Sequence, residues 1–505
     1  MKKYVSIFVV IIGLISVWSC SSDSNDMIQP PQNNGVVLNN KINNFVWKGM
    51  NSWYNWLPEV PNLADSKDDD QDEYYTFLNM YSEPSDLMYN LCYKHHSIVG
   101  PENAVDRFSW FIEDYEVQNN AFQGIRTRFG FTSRLIEIND SGDIIISILL
   151  VEPDSPAADA NMQRGDIINA IDGTVLNSSN INNVYGNLSN ETVTLSFVKE
   201  ENGVLTKIDD KTMTRALVAS NPVHFRKVFN DIGGKKVGYL VYNQFSDSFN
   251  DELNEAFAFF KAEGINELVL DLRFNPGGSG LATTYLGSMI YANAGNGTFY
   301  ETKFNSKHSV YNSLDTFQDI LVIQNTALEE IGEEPINRLN SLNRLYVLTS
   351  GSTASASELL INGLKPYMTD VKLIGTTTYG KNVGSVTLYD APDSDFLSEE
   401  DANPAHKNAM QPICIQVFNK NGESDYTQGF APDIEVDESN YWNNILPLGD
   451  RNESLLKTAL DDIAGIVAKQ SLSKLQERAK LIALDLPENR FDNELYFNYL
   501  FKDKE

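Results

Sequence analysis

The order of patterns between Leu345 and Lys381 constrains this chain more than any other feature. An apolar run, Leu345-Tyr346-Val347-Leu348, predicts a buried strand. Small residues follow, Thr349-Ser350-Gly351-Ser352-Thr353-Ala354-Ser355-Ala356-Ser357, and a helical pattern then runs to Leu364 and stops near Pro366. A second strand-like run, Val371-Lys372-Leu373-Ile374-Gly375, leads to Tyr379-Gly380-Lys381. Strand, tight turn and helix start present a side chain where free backbone amides and the helix dipole favour a developing negative charge. One reading is a serine nucleophile, Ser355, with Lys381 as its base. The competing reading is structural: Ser355-Ala356-Ser357-Glu358 spells the S-x-x-E capping box, in which serine only satisfies helix amides. Spacing alone leaves both open, and Ser350, Ser352 and Ser357 compete for the nucleophile's place.

A lysine base must lose its proton near neutrality. That takes its pKa from about 10.4 towards about 7–8, a cost of about 4 kcal/mol in desolvation or like-charge repulsion. The glycines flanking Lys381 would let backbone crowd its ammonium. A third element is Gly277-Gly278, which follows the buried strand pattern 267–273; paired glycines there fit either a tight turn or a backbone N–H aimed at a ligand. No G-x-S-x-G elbow surrounds any serine of the segment, and none of the five histidines lies at an obvious base position. A Ser-His-Asp triad therefore has nothing to promote it.

The rest of the chain falls into segments. Residues 1–20 read as a targeting leader: Lys2-Lys3, then a short apolar core, then Ser19-Cys20 before polar residues. This resembles a bacterial lipoprotein signal, with Cys20 the lipidated first residue of the mature chain and an exported, cell-envelope location. Residues 21–38 have the composition of a disordered tether. In 39–119, Phe45, Trp47, Met50, Trp53, Trp56 and Leu57 recur at mostly helical spacing and predict a packed helical domain. The acidic run 68–73 lacks the glycine and the terminal acid of an EF-hand and is taken as a solvated loop. His95-His96 has no partner at metal spacing, and no H-E-x-x-H occurs. Cys92 and Cys414 are expected to be buried small hydrophobes.

Residues 120–215 are rich in strand patterns and contain Arg164-Gly165-Asp166-Ile167-Ile168-Asn169-Ala170-Ile171-Asp172-Gly173. This segment resembles a PDZ domain, which implies capture of a peptide C-terminus as an added strand, with Phe129, Gly130 and Phe131 at the carboxylate-receiving loop. Residues 216–470 alternate strands and helices, predicting an α/β layer with a mostly parallel sheet and flanking helices. Within them, 392–410 read as a surface insertion. Helices are predicted over 455–467 and 471–484, the latter within a helical tail, 471–505.

The ordered set D-L-R-x-N-P-G-G, T-A-S-A-S-E, Y-G-K and G-x-x-P-D after a PDZ-like module resembles the carboxyl-terminal processing, or tail-specific, peptidases over 123–436. The resemblance implies a crotonase/ClpP-like core, Ser355 as nucleophile, Lys381 as base, and the amides of Gly278 and Ala356 as oxyanion donors. It implies no metal or organic cofactor. Exported proteins or peptides, engaged near their C-termini, would be the substrates. Two departures stand out: the glutamine usual four residues after the lysine is Ser385, and an acid usual after the serine is Pro366. Ser385 or Thr387 would then orient the lysine. The alternatives are a peptide-binding PDZ protein with an impaired site, or another Ser-Lys acyl hydrolase, for which Ser471-Leu472-Ser473-Lys474 supplies S-x-x-K without the accompanying motifs. A formal charge of −30 argues against nucleic acid as a partner.

Overall fold

The computed structural model describes residues 35–340, 342–466, 479–482 and 494–501. The expected leader with Cys20, most of the tether, and Ser471 to Lys474 lie outside the described residues.

The catalytic-candidate segment belongs to a six-stranded sheet whose order is Val223–Ile232, Lys235–Tyr242, Glu267–Asp271, Arg344–Thr349, Asp370–Gly375, Ile434–Glu435. The first pair is antiparallel and the other four pairings are parallel. Alternation along the strands explains its two covered faces. Leu240, Leu268, Leu270, Leu345 and Val347 pack with the helices Asn250–Glu263, Gly280–Ile290 and Ala356–Leu364. Tyr239, Val241, Val269, Tyr346 and Leu348 face the helix Ser454–Ile463. Each large apolar side chain taken from water contributes about 1.5–3 kcal/mol.

A second six-stranded sheet contains Gly278–Ser279, Leu495–Tyr496, Val383–Ser385, Ile413–Asn419, Thr298–Phe304 and Ser313–Thr316, in that order. It brings the Gly277-Gly278 turn, the residues after Lys381 and Leu495–Tyr496 side by side. The small β domain spans Phe131–Glu137, Ile144–Val151, Ile167–Ile171, Thr192–Glu201 and Val204–Thr214, with its own core of Phe129, Ile146, Ile168 and Leu195.

The N-terminal helix Lys41–Trp53 buries Phe45, Trp47, Met50 and Trp53, the stripe that its spacing predicts. Asn40 caps it by accepting from the Ile42 amide at 3.0 Å. Cys92 and Cys414 are free and buried. Three expectations need correction. The acidic run is not all loop: the Asp70 carboxylate caps the helix Gln71–Leu78 through the amides of Asp72 and Glu73. The insertion 392–410 ends in a buried strand, Ala409–Gln411, because its Ala409 and Met410 fill apolar space beside Trp110–Ile112. The helix expected over 471–484 fails at Lys480–Ile482, which pairs antiparallel with Phe131–Glu137, an edge offering unpaired backbone groups.

Candidate active site

Ser355 sits where the Arg344–Thr349 strand has turned into the Ala356–Leu364 helix, with φ 62° and ψ −111°. A non-glycine residue in that region stores about 1–3 kcal/mol of strain, which the surroundings must hold in place. They do so through hydrogen bonds between the two loops. Ser350 Oγ donates to the Arg273 carbonyl at 2.6 Å, Thr353 Oγ1 to the Leu272 carbonyl at 2.8 Å, and the Ala354 amide to the Asn275 carbonyl at 3.2 Å. Ser350 and Ser357 are thereby occupied in structure, since Ser357 Oγ donates to the Asn275 carbonyl at 3.2 Å. Ser355 differs: its Oγ is fully buried and has no hydrogen-bond partner among the described residues. Leaving a buried hydroxyl unpaired costs about 1–3 kcal/mol.

The turn has the form of the S-x-x-E capping box, with the Ser355 side chain turned to the Glu358 amide and the Glu358 carboxylate to the Ser355 amide. The Glu358 carboxylate accepts the Ser355 amide at 2.9 Å, while Ser355 Oγ, though turned to the Glu358 amide, completes no hydrogen bond. The same carboxylate accepts the amides of Gly380 at 2.7 Å and Lys381 at 2.8 Å, and the Thr378 hydroxyl at 2.5 Å. Burial pushes the Glu358 pKa up, and these four donors pull it back. One buried carboxylate thus ties the serine turn to the lysine loop.

Lys381 is fully buried. Burial lowers its pKa from the usual 10.5, opposed by the charges of Glu494, Asp106 and Glu358. Its ammonium lies 5.0 Å from the Phe108 ring centroid and donates to Glu494 Oε2 at 3.2 Å. Arg107, next in sequence to Phe108, donates to the Gly380 carbonyl at 2.5 Å and the Thr427 carbonyl at 3.1 Å. The helical N-terminal segment therefore walls and latches the lysine loop.

Gly277 and Gly278 have φ of 115° and 135°. A Cβ on Gly277 would lie 2.7 Å from Ser355 Cβ, so glycine is required for the two turns to approach. The Gly278 amide donates to the Glu494 carbonyl at 2.7 Å. Ala356 opens its helix, where a first-turn N–H has no intrahelical acceptor.

Glutamine's expected place four residues after Lys381 is filled by a relay. Ser385 Oγ donates to Glu494 Oε2 at 3.0 Å and accepts from Gln411 Nε2 at 2.9 Å, while Thr387 Oγ1 donates to Gln411 Oε1 at 2.8 Å. Neither Ser385 nor Thr387 hydrogen-bonds the lysine; Ser385 reaches it through Glu494. The sequence reading missed Gln411, Phe108 and Glu494, and no local pattern marks them, because each comes from a distant segment. Phe129, Gly130 and Phe131 stand apart, on the small β domain. The carbonyls of Phe129 and Gly130 accept from the amides of Ala157 and Glu152 at 2.9 Å each, and Gly130 packs so closely on Ser155 that a Cβ would meet Ser155 Cβ at 2.2 Å.

Behind the Gly277-Gly278 turn lies an ion network. The Arg273 guanidinium, fully buried, binds Asp271 at 2.8 Å, Glu438 at 2.8 Å and Glu453 at 2.7 Å. Arg164 of the small β domain joins through Glu438 and Glu453. Burial alone would raise the Glu438 pKa, but Arg164, Arg273 and Arg134 outweigh it and hold it at about 2. The network fixes the base of the turn that presents Gly278.

Comparison with known proteins places this geometry in context. The model of Peptidase family S41 matches residues 236–436, and that of the Peptidase S41 N-terminal domain matches residues 41–110. The chain is 26% identical over 261 residues to the carboxyl-terminal-processing protease of Picosynechococcus sp., covering 51% of this chain and 55% of that protein. It is 25% identical over 247 residues to the chloroplastic C-terminal processing peptidase of Tetradesmus obliquus, covering 47% and 48%. The chain thus spans about half the length of these curated relatives. A crystal structure from Bacteroides fragilis assigned as an S41 protease superposes with a TM-score of 0.64 at 28% identity, covering 84% of this chain and 98% of that one.

Proposed function

Because this chain belongs to peptidase family S41, we propose that it is a serine endopeptidase working through a Ser355–Lys381 dyad. The observation that carries the reading is the buried hydroxyl of Ser355, without a completed hydrogen bond, on a strained turn that packs on Gly277 and that the Glu358 carboxylate ties to the backbone of the desolvated Lys381. Neutral Lys381 takes the Ser355 proton as Oγ attacks the scissile carbonyl carbon. The amides of Gly278 and Ala356 receive the oxyanion. The intermediate collapses to a Ser355 acyl-enzyme as the ammonium returns its proton to the leaving amine, and water, deprotonated by the same lysine, releases the acid. Every proton moved stays with the dyad or the two products, so the chemistry balances with water as the only co-reactant.

On this reading the six-stranded sheet and its helices are a crotonase/ClpP-like core, mostly parallel, and residues 120–215 are a PDZ domain. Its Phe129-Gly130-Phe131 loop receives substrate C-termini. The substrates are exported proteins or peptides cut near their C-termini. The enzyme itself is held at the bacterial envelope by a lipid on Cys20.

Cleavage of casein and of peptides with apolar C-termini by the wild type, Ser355→Ala and Lys381→Ala tests the dyad. Both variants are expected to lose activity by at least about 10³-fold while remaining folded. Equal activity in all three overturns it.

A further inference from the structure

Residues 494–497 lie in the place a substrate would need. The Glu494 carbonyl accepts from the Gly278 amide at 2.7 Å, the donor assigned to the oxyanion, and a Cβ on Gly277 would be equidistant, at 2.7 Å, from that carbonyl oxygen and from Ser355 Cβ. Leu495–Tyr496 pairs in parallel with Gly278–Ser279 on one side, and Tyr496 with Ser385 on the other. A backbone held as an added strand is how extended peptides are recognised at sheet edges.

The side chains are equally committed. Glu494 Oε2 holds the Lys381 ammonium at 3.2 Å and accepts from Ser385 at 3.0 Å, while Oε1 accepts from Trp110 Nε1 at 3.0 Å. Leu495, Tyr496 and Phe497 are buried. The Phe497 ring fills space that two glycines leave: a Cβ on Gly280 or on Gly384 would meet it at 2.5 Å. Phe501 packs edge-on to Trp53 of the N-terminal helix at 5.5 Å between centroids. Upstream, Lys480–Ile482 is already an added strand on the Phe131–Glu137 edge, the strand that follows the Phe129-Gly130 loop. The same C-terminal region therefore lies on the candidate peptidase site and on the edge strand, at residues 135–137, of the domain that carries the Phe129-Gly130-Phe131 loop.

We propose that residues 494–501 are an intramolecular occupant of the peptidase site, which another chain must displace before it is cut. The proposal rests on the Ser355–Lys381 reading for what the site does. The occupant stays uncut because its own carboxylate takes the lysine: Nζ is committed to Glu494 Oε2 at 3.2 Å and makes no hydrogen bond to Ser355 Oγ. Glu494 thus both fills the oxyanion donor and disarms the base.

The test compares the full chain, a chain ending at Asn493, and the full-length Glu494→Gln variant, each with a tailed peptide substrate and each checked for folding by its melting temperature. The probe in trans is a synthetic peptide of residues 494–505. A site free in about a tenth of the molecules binds about tenfold more weakly in appearance. The truncated chain is accordingly expected to show kcat/KM raised by about tenfold or more, mostly through KM, and the peptide to inhibit it competitively. Glu494→Gln is expected to fall between the two chains; if loss of Leu495 and Phe497 unfolds the truncated chain, this variant decides. Unchanged kcat/KM in the folded variants overturns the proposal. If no form cleaves anything, the dyad reading has failed, and occupancy is then read from binding of the fluorescent 494–505 peptide. Binding to the truncated chain but not to the full chain upholds it; no binding overturns it.

Discussion

Glu358 Oε2 accepts the backbone amide of Lys381 at 2.8 Å. The bond joins the first turn of the Ala356–Leu364 helix to the lysine loop, and the same carboxylate also holds the Ser355 amide, so the spacing of the proposed nucleophile and base depends on one buried side chain. Glu358→Gln keeps the size but turns an NH2 group towards amide donors. Each hydrogen bond to a charged group is worth about 1.5–3 kcal/mol. The variant is expected to lose about 2–4 kcal/mol of stability and about 10²-fold in kcat, read by denaturant unfolding and steady-state kinetics.

Ser355→Ala tests the serine from the stability side. It deletes a buried hydroxyl with no partner, whose burial costs about 1–3 kcal/mol. The positive φ remains for alanine, so strain is unchanged. The expected result is a melting temperature equal to or above that of the wild type, together with loss of peptidase activity. A serine that merely capped the helix would instead cost about 1 kcal/mol on removal.

Lys381 sets the alkaline behaviour. Burial lowers its folded pKa below 10.5, so the folded form carries fewer protons than the unfolded chain between the lowered value and 10.5. Its destabilising contribution is greatest at low pH and is relieved as pH rises through that window. Activity follows the neutral amine, so kcat/KM is expected to rise with pH along a limb whose midpoint lies below 10.5, with Glu494, Asp106 and Glu358 all opposing the shift. A midpoint at or above 10.5, from a pH–rate profile of the wild type, would exclude this base.

The ion network behind the Gly277-Gly278 turn predicts acid behaviour. Arg273→Met strands Asp271 and Glu453 and weakens the hold on Glu438, and breaking such buried pairs costs about 3–5 kcal/mol. In the wild type the depressed Glu438 pKa gives stability that is present above the ordinary carboxylate value of 4.5 and lost as pH falls towards about 2. The variant is expected to unfold at higher pH than the wild type, in an acid titration followed by circular dichroism.

Much of this site could be read from local pattern. The alternating apolar runs at 237–241, 267–271 and 345–349 form the sheet because adjacent side chains had to be covered on both faces. Gly277 and Ser355 meet because both turns follow adjacent parallel strands. The choice between cap and nucleophile was not legible, since S-x-x-E spells the same letters in either case; the structure keeps the form of the box while the Ser355 hydroxyl completes no hydrogen bond. Glu494 and Gln411 were invisible for another reason. Each acts more than twenty residues away from Lys381 in sequence, through sheet pairings that no local period encodes. The short apolar run at Lys480–Ile482 fits a helical or a strand period alike, and the neighbouring sheet edge decides for strand.

The central claim is that Ser355 forms an acyl-enzyme. Intact-mass analysis with a slowly hydrolysed peptide ester, followed by peptide mapping, measures this directly. A single acyl adduct on Ser355 is expected in the wild type and none in Ser355→Ala. An adduct on another residue, or undiminished turnover by Ser355→Ala, would contradict it.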